Sequence, residues 1–337
     1  MSGPISSEED IIARYLRPLT ARAPGALDLR DDAALISPKA GTELVVTTDM
    51  LVAGVHFLAD APPRDIATKA VTANLSDLVA KGAEPVGYLM ACALPGEPDE
   101  AWLAEFTAGL DAHMHGLLLG GDLTRTDGPL AITIVAIGEV PAGRMVRRSR
   151  GKAGDELFLT GPVGSAALGL RLLQEPGLEA ELGLTKEEAS HFVAATRAPV
   201  VNRPSETAAL LRDKAAAAMD VSDGLLIDLE RLCRASAAGA RVEAAAVPLA
   251  PAARRLVEAG KVSLLDLATG GDDYVALFAV GPGSSVDIGA GSAGPVFRIG
   301  RLTAEDEGIA VLDGDGRPMA LPVKRGYDHF PGGKRGG

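Results

Sequence analysis

The chain has 337 residues and a formal net charge of −12, with 47% hydrophobic, 23% charged and only 4% aromatic residues. That length predicts two globular domains, with cores of Ala, Leu, Val and Ile rather than of rings. The acidic balance argues against nucleic acid or an anionic membrane as partner, because both need clustered Lys and Arg; an anionic substrate would need a divalent cation beside these carboxylates.

Residues 8–19 read as a short amphipathic helix, with Ile11, Ile12, Tyr15, Leu16 and Leu19 on one face. Strand-like runs follow at 33–36, 44–48, 86–94 and 130–140, with helical patterns at 64–81 and 99–117. Strands alternating with helices predict an α/β layered fold. The basic, glycine-containing stretch GRMVRRSRGKAGD, 143–155, breaks the rhythm. It is read as the start of a second domain, giving an N-terminal domain over 1–142 and a C-terminal α/β domain over 143–330. There a strand at 156–160 leads through a turn at 161–164 into a helix from Ser165. An acidic helical segment spans 178–194, and Pro204 and Ser205 open another helix. A strand at 217–221 runs into a helix from Asp223 to Ala237 that Gly239 should end. Strands near 275–280 and 308–312 follow, and the tail PGGKRGG, 331–337, is expected to be disordered.

The two cysteines, Cys92 and Cys233, form no zinc-ligand pattern and fit a reduced, cytoplasmic protein. The opening MSGPISSEED lacks the basic start and apolar stretch of a signal peptide. No apolar run reaches the roughly 18 residues of a membrane span.

Acidic residues recur where apolar runs end: Asp31 and Asp32; Thr47, Thr48 and Asp49; Asn74 and Asp77; Gly121 and Asp122; Asp220, Ser222 and Asp223; Gly270 to Asp273. Hydroxyls and carboxylates at a strand end suit a hard cation, or simply satisfy a turn. The pair Gly120-Gly121 either lets the backbone approach a phosphate or serves a loop that needs positive φ. Ser222 and Asp223 fall at a helix start, where free N–H groups face an anion or a side chain merely caps the helix. Asp77 lies beside Asn74 and Lys81, off the apolar stripe, so a solvated helix face is the plain alternative. His56 is either a partly buried histidine or a site residue. Arg148, in the basic stretch, is either solvated or holds phosphate oxygens bidentately. There is no G-x-x-x-x-G-K-[ST] motif and no G-x-S-x-G elbow; phosphoryl transfer without a P-loop lysine relies on metals and backbone dipoles.

Taken in order, DDAALI, TTDMLVAGVHF, NLSDLVAKGAEP, GGDLTR, GRMVRRS, DVSDGLL, GGDDY and GYDHF resemble the thiamine-monophosphate kinase family, a branch of the superfamily of aminoimidazole ribonucleotide synthetase. The resemblance spans residues 31 to 330. It implies a two-domain, aminoimidazole ribonucleotide synthetase-like α/β (α+β) fold whose N-terminal sheets pair across a homodimer. It implies ATP as phosphoryl donor, thiamine monophosphate as acceptor and several Mg2+ ions. Carried over as metal ligands are Asp32, Thr47, Thr48, Asp49, Asp77, Asp122, Asp220 and Asp223, among which Asp49, Asp122 and Asp220 are expected at the chemistry. Gly121, Asp122, Arg148 and Ser222 carry over to ATP, and His56, Asp272 and Tyr327 to the thiamine substrate. Three positions depart from the family pattern. Arg30 stands where Gly precedes the paired aspartates; Leu123 follows Asp122 in place of a hydroxyl residue, with Thr124 as a nearby substitute; Asp272 replaces Glu. Competing expectations are another ATP-dependent synthetase of the superfamily, a metal-dependent phosphatase, or a non-enzymatic divalent-cation binding protein.

Overall fold

Two units emerge along the chain, Met1–Met145 and Val146–Gly337, each with its own sheet. The computed structural model describes residues 7–97, 99–284, 286, 293–327 and 329. The tail 331–337, and Asp328 and Phe330 of the C-terminal motif, lie outside the described residues.

The first unit starts with α1 (Glu8–Ile11), capped by Ser7. The helix then widens over 12–16 and tightens over 17–20, where Pro18 removes a donor and constrains φ. Leu16 and Leu19 are the buried part of the apolar face expected here. The strand expected at 33–36 does not form. Leu35 instead donates its N–H to Gly25 O, while Ala34 and Ile36 pack on Ala23, Ala26, Leu119 and Ile137.

Next come β1 (Thr42–Val52), α2 (Pro63–Ala80), β2 (Glu84–Pro95), α3 (Glu100–Met114), β3 (Leu118–Thr126) and β4 (Ala131–Pro141). The sheet order is β1-β4-β2-β3. β4 lies antiparallel to both β1 and β2, whereas β3 runs parallel to β2, as a crossover through α3 requires. Gly120 and Gly121 lie within the strand β3 rather than in a loop. Neither glycine has positive φ. Gly121 is demanded by packing: opposite it in the ladder sits Met90, whose carbonyl oxygen a Cβ would strike. α2 is buried nearly all round, down to Thr72 and Asn74 with no exposure. Asp77 therefore does not lie on a solvated helix face.

The second unit contains β5 (Glu156–Leu159), α4 (Ser165–Gln174), α5 (Leu178–Leu182), α6 (Lys186–Arg197), α7 (Pro204–Lys214), β6 (Ala217–Asp220), α8 (Leu225–Ser236), β7 (Ala238–Glu243), α9 (Pro251–Glu258), α10 (Leu264–Ala268), β8 (Ala276–Val280), β9 (Phe297–Ala304) and β10 (Ile309–Leu312). The acidic segment 178–194 is two helices. Gly183 ends the first in the left-handed region, and Thr185 with Glu188 forms a capping box for the second. Gly239 does not end α8: Ala237 does, at φ 48, and Gly239 lies in β7.

The six-stranded sheet has the order β10-β7-β9-β5-β8-β6 and is antiparallel except for β10 on β7. Successive side chains of a strand face opposite ways. Leu157 and Leu159 thus join Met219, Leu225, Leu229 and Leu277 on one side. Phe158 joins Leu211, Ala218 and Phe278 on the other. Phe158 and Phe278 stack at 5.4 Å; elsewhere this core is aliphatic, as the composition dictates. A further cluster of Leu168, Leu178, Phe192, Ala253 and Leu256 locks α4, α5, α6 and α9 together.

α4 begins at Gly164 with no side-chain cap of its own. Asp273, far along the chain, supplies one: its carboxylate accepts the N–H of Gly164 at 2.7 Å and of Ala166 at 3.5 Å. A negative group there complements the helix dipole. Burial pushes the Asp273 carboxyl up to about 7, although the main-chain N–H bonds pull the other way. Its folded value therefore lies above the free value of 3.8. Its contribution favours folding most at a pH below that free value and is lost as pH rises through about 7. Asp273→Asn cannot titrate. Across about pH 4 to about pH 8, the thermal midpoint of the wild type is expected to fall relative to that of the variant. A difference that stays flat over this range would show that the carboxyl titrates normally.

Candidate functional site

In the first unit, the edge strand β1 and the helix α2 hold the oxygen-bearing residues. Thr47, Thr48 and Asp49 sit within β1, not at its end, so the pleat separates them. Thr47 and Asp49 share a direction with the buried Val45 and Leu51. Thr48 shares the other with exposed Val46 and Met50. Thr47 Oγ1 donates to Asp77 Oδ2 at 2.5 Å, and the N–H of Asp49 donates to Asn74 Oδ1 at 3.0 Å. Asn74 in turn donates to Ala70 O within its own helix. Asn74 and Asp77 are three residues apart and so share one face of α2. Thr48 Oγ1 instead donates to Ile134 O at 3.0 Å. By side chain, Thr47 meets Asp77; Asp49 lies on the same side of β1 as Thr47 and is tied to α2 through its main chain, while Thr48 points the other way.

Asp122 is exposed on β3, opposite Ala91. Asp31 and Asp32 are exposed in the bends that precede 34–40. His56 is half-buried in the turn after β1, where its Nδ1 accepts the N–H of Val52 at 3.0 Å. That places the ring proton of the neutral imidazole on Nε2.

In the second unit, three separated motifs meet. The segment after β6 carries Asp220, which is buried, then Ser222 and Asp223, which are half-buried. Val221 O accepts the N–H of Tyr274 and Ser222 O that of Asp272, each at 2.8 Å; Asp223 O accepts the N–H of Tyr327 at 2.9 Å. Main-chain hydrogen bonds thus join DVSDG to GGDDY and to the start of GYDHF. The glycines permit this approach: a Cβ on Gly271 would strike Ser222 O, and one on Gly326 would lie 2.6 Å from Asp223 O. Asp272 and Tyr274 adopt positive φ, 68° and 48°, and the Tyr274 hydroxyl donates to Asp272 Oδ1 at 3.0 Å. Strained backbone of this kind persists only where its surroundings hold it. Tyr327 is 39% exposed, with the Lys324 ammonium 5.9 Å from its ring centroid. Arg148 is exposed, and its carbonyl accepts the Ser236 hydroxyl at 2.7 Å.

Two expectations for the start of α8 are corrected. Neither Ser222 nor Asp223 caps the helix: Gly224 is the N-cap, without a side-chain bond. Nor do the N–H groups of Ser222 and Asp223 face outward toward an anion. Both donate, at 3.0 Å, to Oδ2 of Asp228. Asp228 has no exposed surface, and its Oδ1 accepts from Arg231 at 2.7 Å, while the same guanidinium nitrogen reaches Asp223 Oδ2 at 2.5 Å. Burial pushes the Asp228 carboxyl up to about 6, against the pull of the main-chain bond and of Arg231. Asp228 and Arg231 were not among the residues singled out from sequence. The available signal was an aspartate interrupting the apolar run LLIDL.

Among the described residues, neither unit gathers three His, Cys, Asp or Glu side chains closely enough to hold an ion. The donors on this side of β1 and on the facing helix, Thr47, Asp49 and Asp77, are all oxygens, of which Thr47 and Asp77 meet directly; oxygen is the chemistry Mg2+ selects, with one or two carboxylates per ion and water for the rest. Cys92 and Cys233 are buried and unbridged, and burial pushes both thiols up to about 12. Both are core residues.

Residues 30–140 match the N-terminal domain of AIR synthase related protein, and residues 152–313 match its C-terminal domain. The chain is 39% identical over 330 residues to a thiamine-monophosphate kinase of Salmonella typhimurium, covering 96% of this chain and 98% of that protein. It resembles the crystal structure of thiamine-monophosphate kinase from Stenotrophomonas maltophilia, with a TM-score of 0.71 and 35% identity over 86% of this chain and 91% of that one. It also resembles AaThiL complexed with AMPPCP and TMP, with a TM-score of 0.73 and 25% identity over 98% of this chain and all of that one. With both domain models matched in order and similarity running nearly end to end, the chain belongs to the thiamine-monophosphate kinase family of AIR synthase related proteins.

Proposed function

We propose that this protein is a thiamine-monophosphate kinase, transferring the γ-phosphoryl group of ATP to the phosphate of thiamine monophosphate and releasing ADP and thiamine diphosphate. The observation that carries this reading is the junction of DVSDG, GGDDY and Tyr327 by main-chain hydrogen bonds in a chain 39% identical to curated kinases of that name. The Salmonella and Stenotrophomonas relatives, similar nearly end to end, are thiamine-monophosphate kinases by name, which favours this reading over a passive cation-binding role or a different synthetase reaction.

Donor and acceptor are both phosphate anions. Two unit charges about 4 Å apart repel by about 4 kcal/mol at an effective dielectric near 20, and each partner carries more than one charge. We assign Asp32, Thr47, Asp49, Asp77 and Asp122 in the first unit, and Asp220 and Asp223 in the second, as oxygen donors for Mg2+. Bound there, Mg2+ would offset the charge on the phosphate oxygens and hold them in line. Thr48 belongs to this set as well: its hydroxyl donates its proton to Ile134 O and keeps lone pairs that a cation can use. Gly121, Asp122, Arg148 and Ser222 are assigned to ATP, with Arg148 as a bidentate partner for phosphate oxygens. His56, Asp272 and Tyr327 are assigned to the thiamine substrate. The exposed Tyr327 ring offers a surface to the thiazolium cation. Asp272, one methylene shorter than the family's Glu, is held in place by the Tyr274 hydroxyl. No protein base is required, because the attacking phosphate oxygen is already ionised.

We also propose a homodimer and a cytoplasmic location. On the side of the first sheet away from α2, β1 leaves Leu44, Val46 and Met50 40%, 61% and 54% exposed. An apolar row on an edge strand is a surface that needs covering, and a second copy of the same sheet fits it. Among the described residues no helix is long and apolar enough to cross a membrane.

Incubation with ATP, Mg2+ and thiamine monophosphate should yield thiamine diphosphate and ADP in equal amounts; release of inorganic phosphate alone would sink the kinase reading. Asp49→Asn and Asp122→Asn are each expected to lower turnover by about 100-fold or more with the circular dichroism spectrum unchanged. Near-normal turnover in either removes that aspartate from the ligand set. Light scattering should give the wild type twice the chain mass of 34.5 kDa. Val46→Asp should give the single mass, and a Val46→Asp protein that remains dimeric would move the interface elsewhere.

A further inference from the structure

We infer that Asp228 and Arg231 are positioning residues for Ser222 and Asp223, an inference that rests on the assignment of those two residues to nucleotide and metal. Asp228 occupies a place that packing alone would give to an apolar side chain. It lies on α8 among Leu225, Leu226, Leu229 and Leu232, all buried, and has no exposed surface itself. A buried carboxylate is destabilising unless it is paired and hydrogen-bonded. Here each oxygen is committed: Oδ2 accepts the N–H groups of Ser222 and Asp223, and Oδ1 accepts from Arg231. If the purpose were only to start α8, a serine or aspartate at the N-cap would do so from the surface. Gly224 stands at that position instead.

The arrangement defines the loop from both sides. Asp228 fixes the main chain of Ser222 and Asp223 from beneath. Arg231 fixes the Asp223 side chain, its Nη1 bridging the Asp223 and Asp228 carboxylates at 2.5 and 2.7 Å. One guanidinium shared by two carboxylates leaves a net charge of −1. A carboxylate has about four lone-pair sites, so Asp223 keeps acceptor capacity toward a cation while its orientation is set. The same loop accepts the N–H groups of Asp272 and Tyr327, and a shift of Ser222 or Asp223 would therefore displace the substrate residues as well. Misplacement of about 1 Å lowers rates by about 100-fold in well-organised sites.

The test uses full-length protein and three substitutions. Asp228→Asn can keep an acceptor toward Ser222 and Asp223 but turns an NH2 toward Arg231. Arg231→Met removes the bridge, and Arg231→Lys keeps the charge without the planar fork. Thermal midpoints, kcat, KM for ATP and for thiamine monophosphate, and calorimetric binding of a non-hydrolysable ATP analogue with Mg2+ are measured for each. Asp228→Asn and Arg231→Met are expected to lower kcat by about 10- to 100-fold and to weaken binding of the Mg2+–analogue pair by about 10-fold, with thermal midpoints that leave the protein fully folded at the assay temperature. Arg231→Lys should recover part of both losses. The inference is overturned if folded variants bind and turn over like the wild type, or if activity falls only in proportion to the unfolded fraction. Should Asp228→Asn or Arg231→Met fail to fold, Arg231→Lys decides, since the Arg231 side chain is 32% exposed and lysine keeps a positive charge beside the buried Asp228 carboxylate; a folded Arg231→Lys protein with wild-type kcat and analogue binding overturns the inference. A wild type that makes no thiamine diphosphate sinks the functional reading, and calorimetry then still decides the positioning role. An active wild type with unaffected variants sinks the positioning role alone.

Discussion

Main-chain hydrogen bonds to the carbonyls of Val221, Ser222 and Asp223 hold three loops of the second unit in one place. Three stretches that are remote in sequence, around 221–223, 270–274 and 326–327, depend on these contacts for their relative position. The contacts need close backbone approach, hence glycine at 271 and 326, and they need the loop itself to be rigid. Rigidity comes from buried carboxylates used inward. Asp228 ties down Ser222 and Asp223, and Asp273 ties the 270–274 loop to the start of α4. Both acids are shifted upward by burial, which marks the cost of placing charge where packing alone would not.

The first unit solves a related problem with a strand and a helix. Oxygen donors have to be fixed against a sheet without being consumed by it. An edge strand leaves one set of main-chain groups free of ladder partners, and the Asp49 N–H turns to Asn74. Thr47 and Asp77 meet by side chain. α2 can carry such polar residues inward because it is almost fully buried and each finds a partner. Under the proposed reading, Mg2+ held by these oxygens would offset the repulsion between two anions, which would reconcile the acidic composition with phosphate chemistry.

Much of this was legible in the sequence. Hydrophobic periodicity marked α2, α3, β2 and β4 to within a few residues, because each buries a regular face. The motifs, taken in their order, marked the family. Less legible were β3, whose Gly120-Gly121 looks like a turn but is a sheet contact, and the segment 33–36, whose apolar residues pack without pairing. The short helix α5 and the strands β7 and β9 also carry little local signal; their stability comes from neighbours distant in sequence.

Residue order by itself determined the family, the two-part layout and the inventory of candidate ligands, since these depend on chemical identity and spacing along one dimension. Only the tertiary structure decided direction and partnership. The pleat of β1 parted Thr48 from Thr47 and Asp49. The fold turned the N–H groups of Ser222 and Asp223 inward to Asp228 rather than outward. Both outcomes depend on what lies across from a residue in space, and a hydrogen bond forms with whichever group arrives within 3 Å or so, however far away it is along the chain.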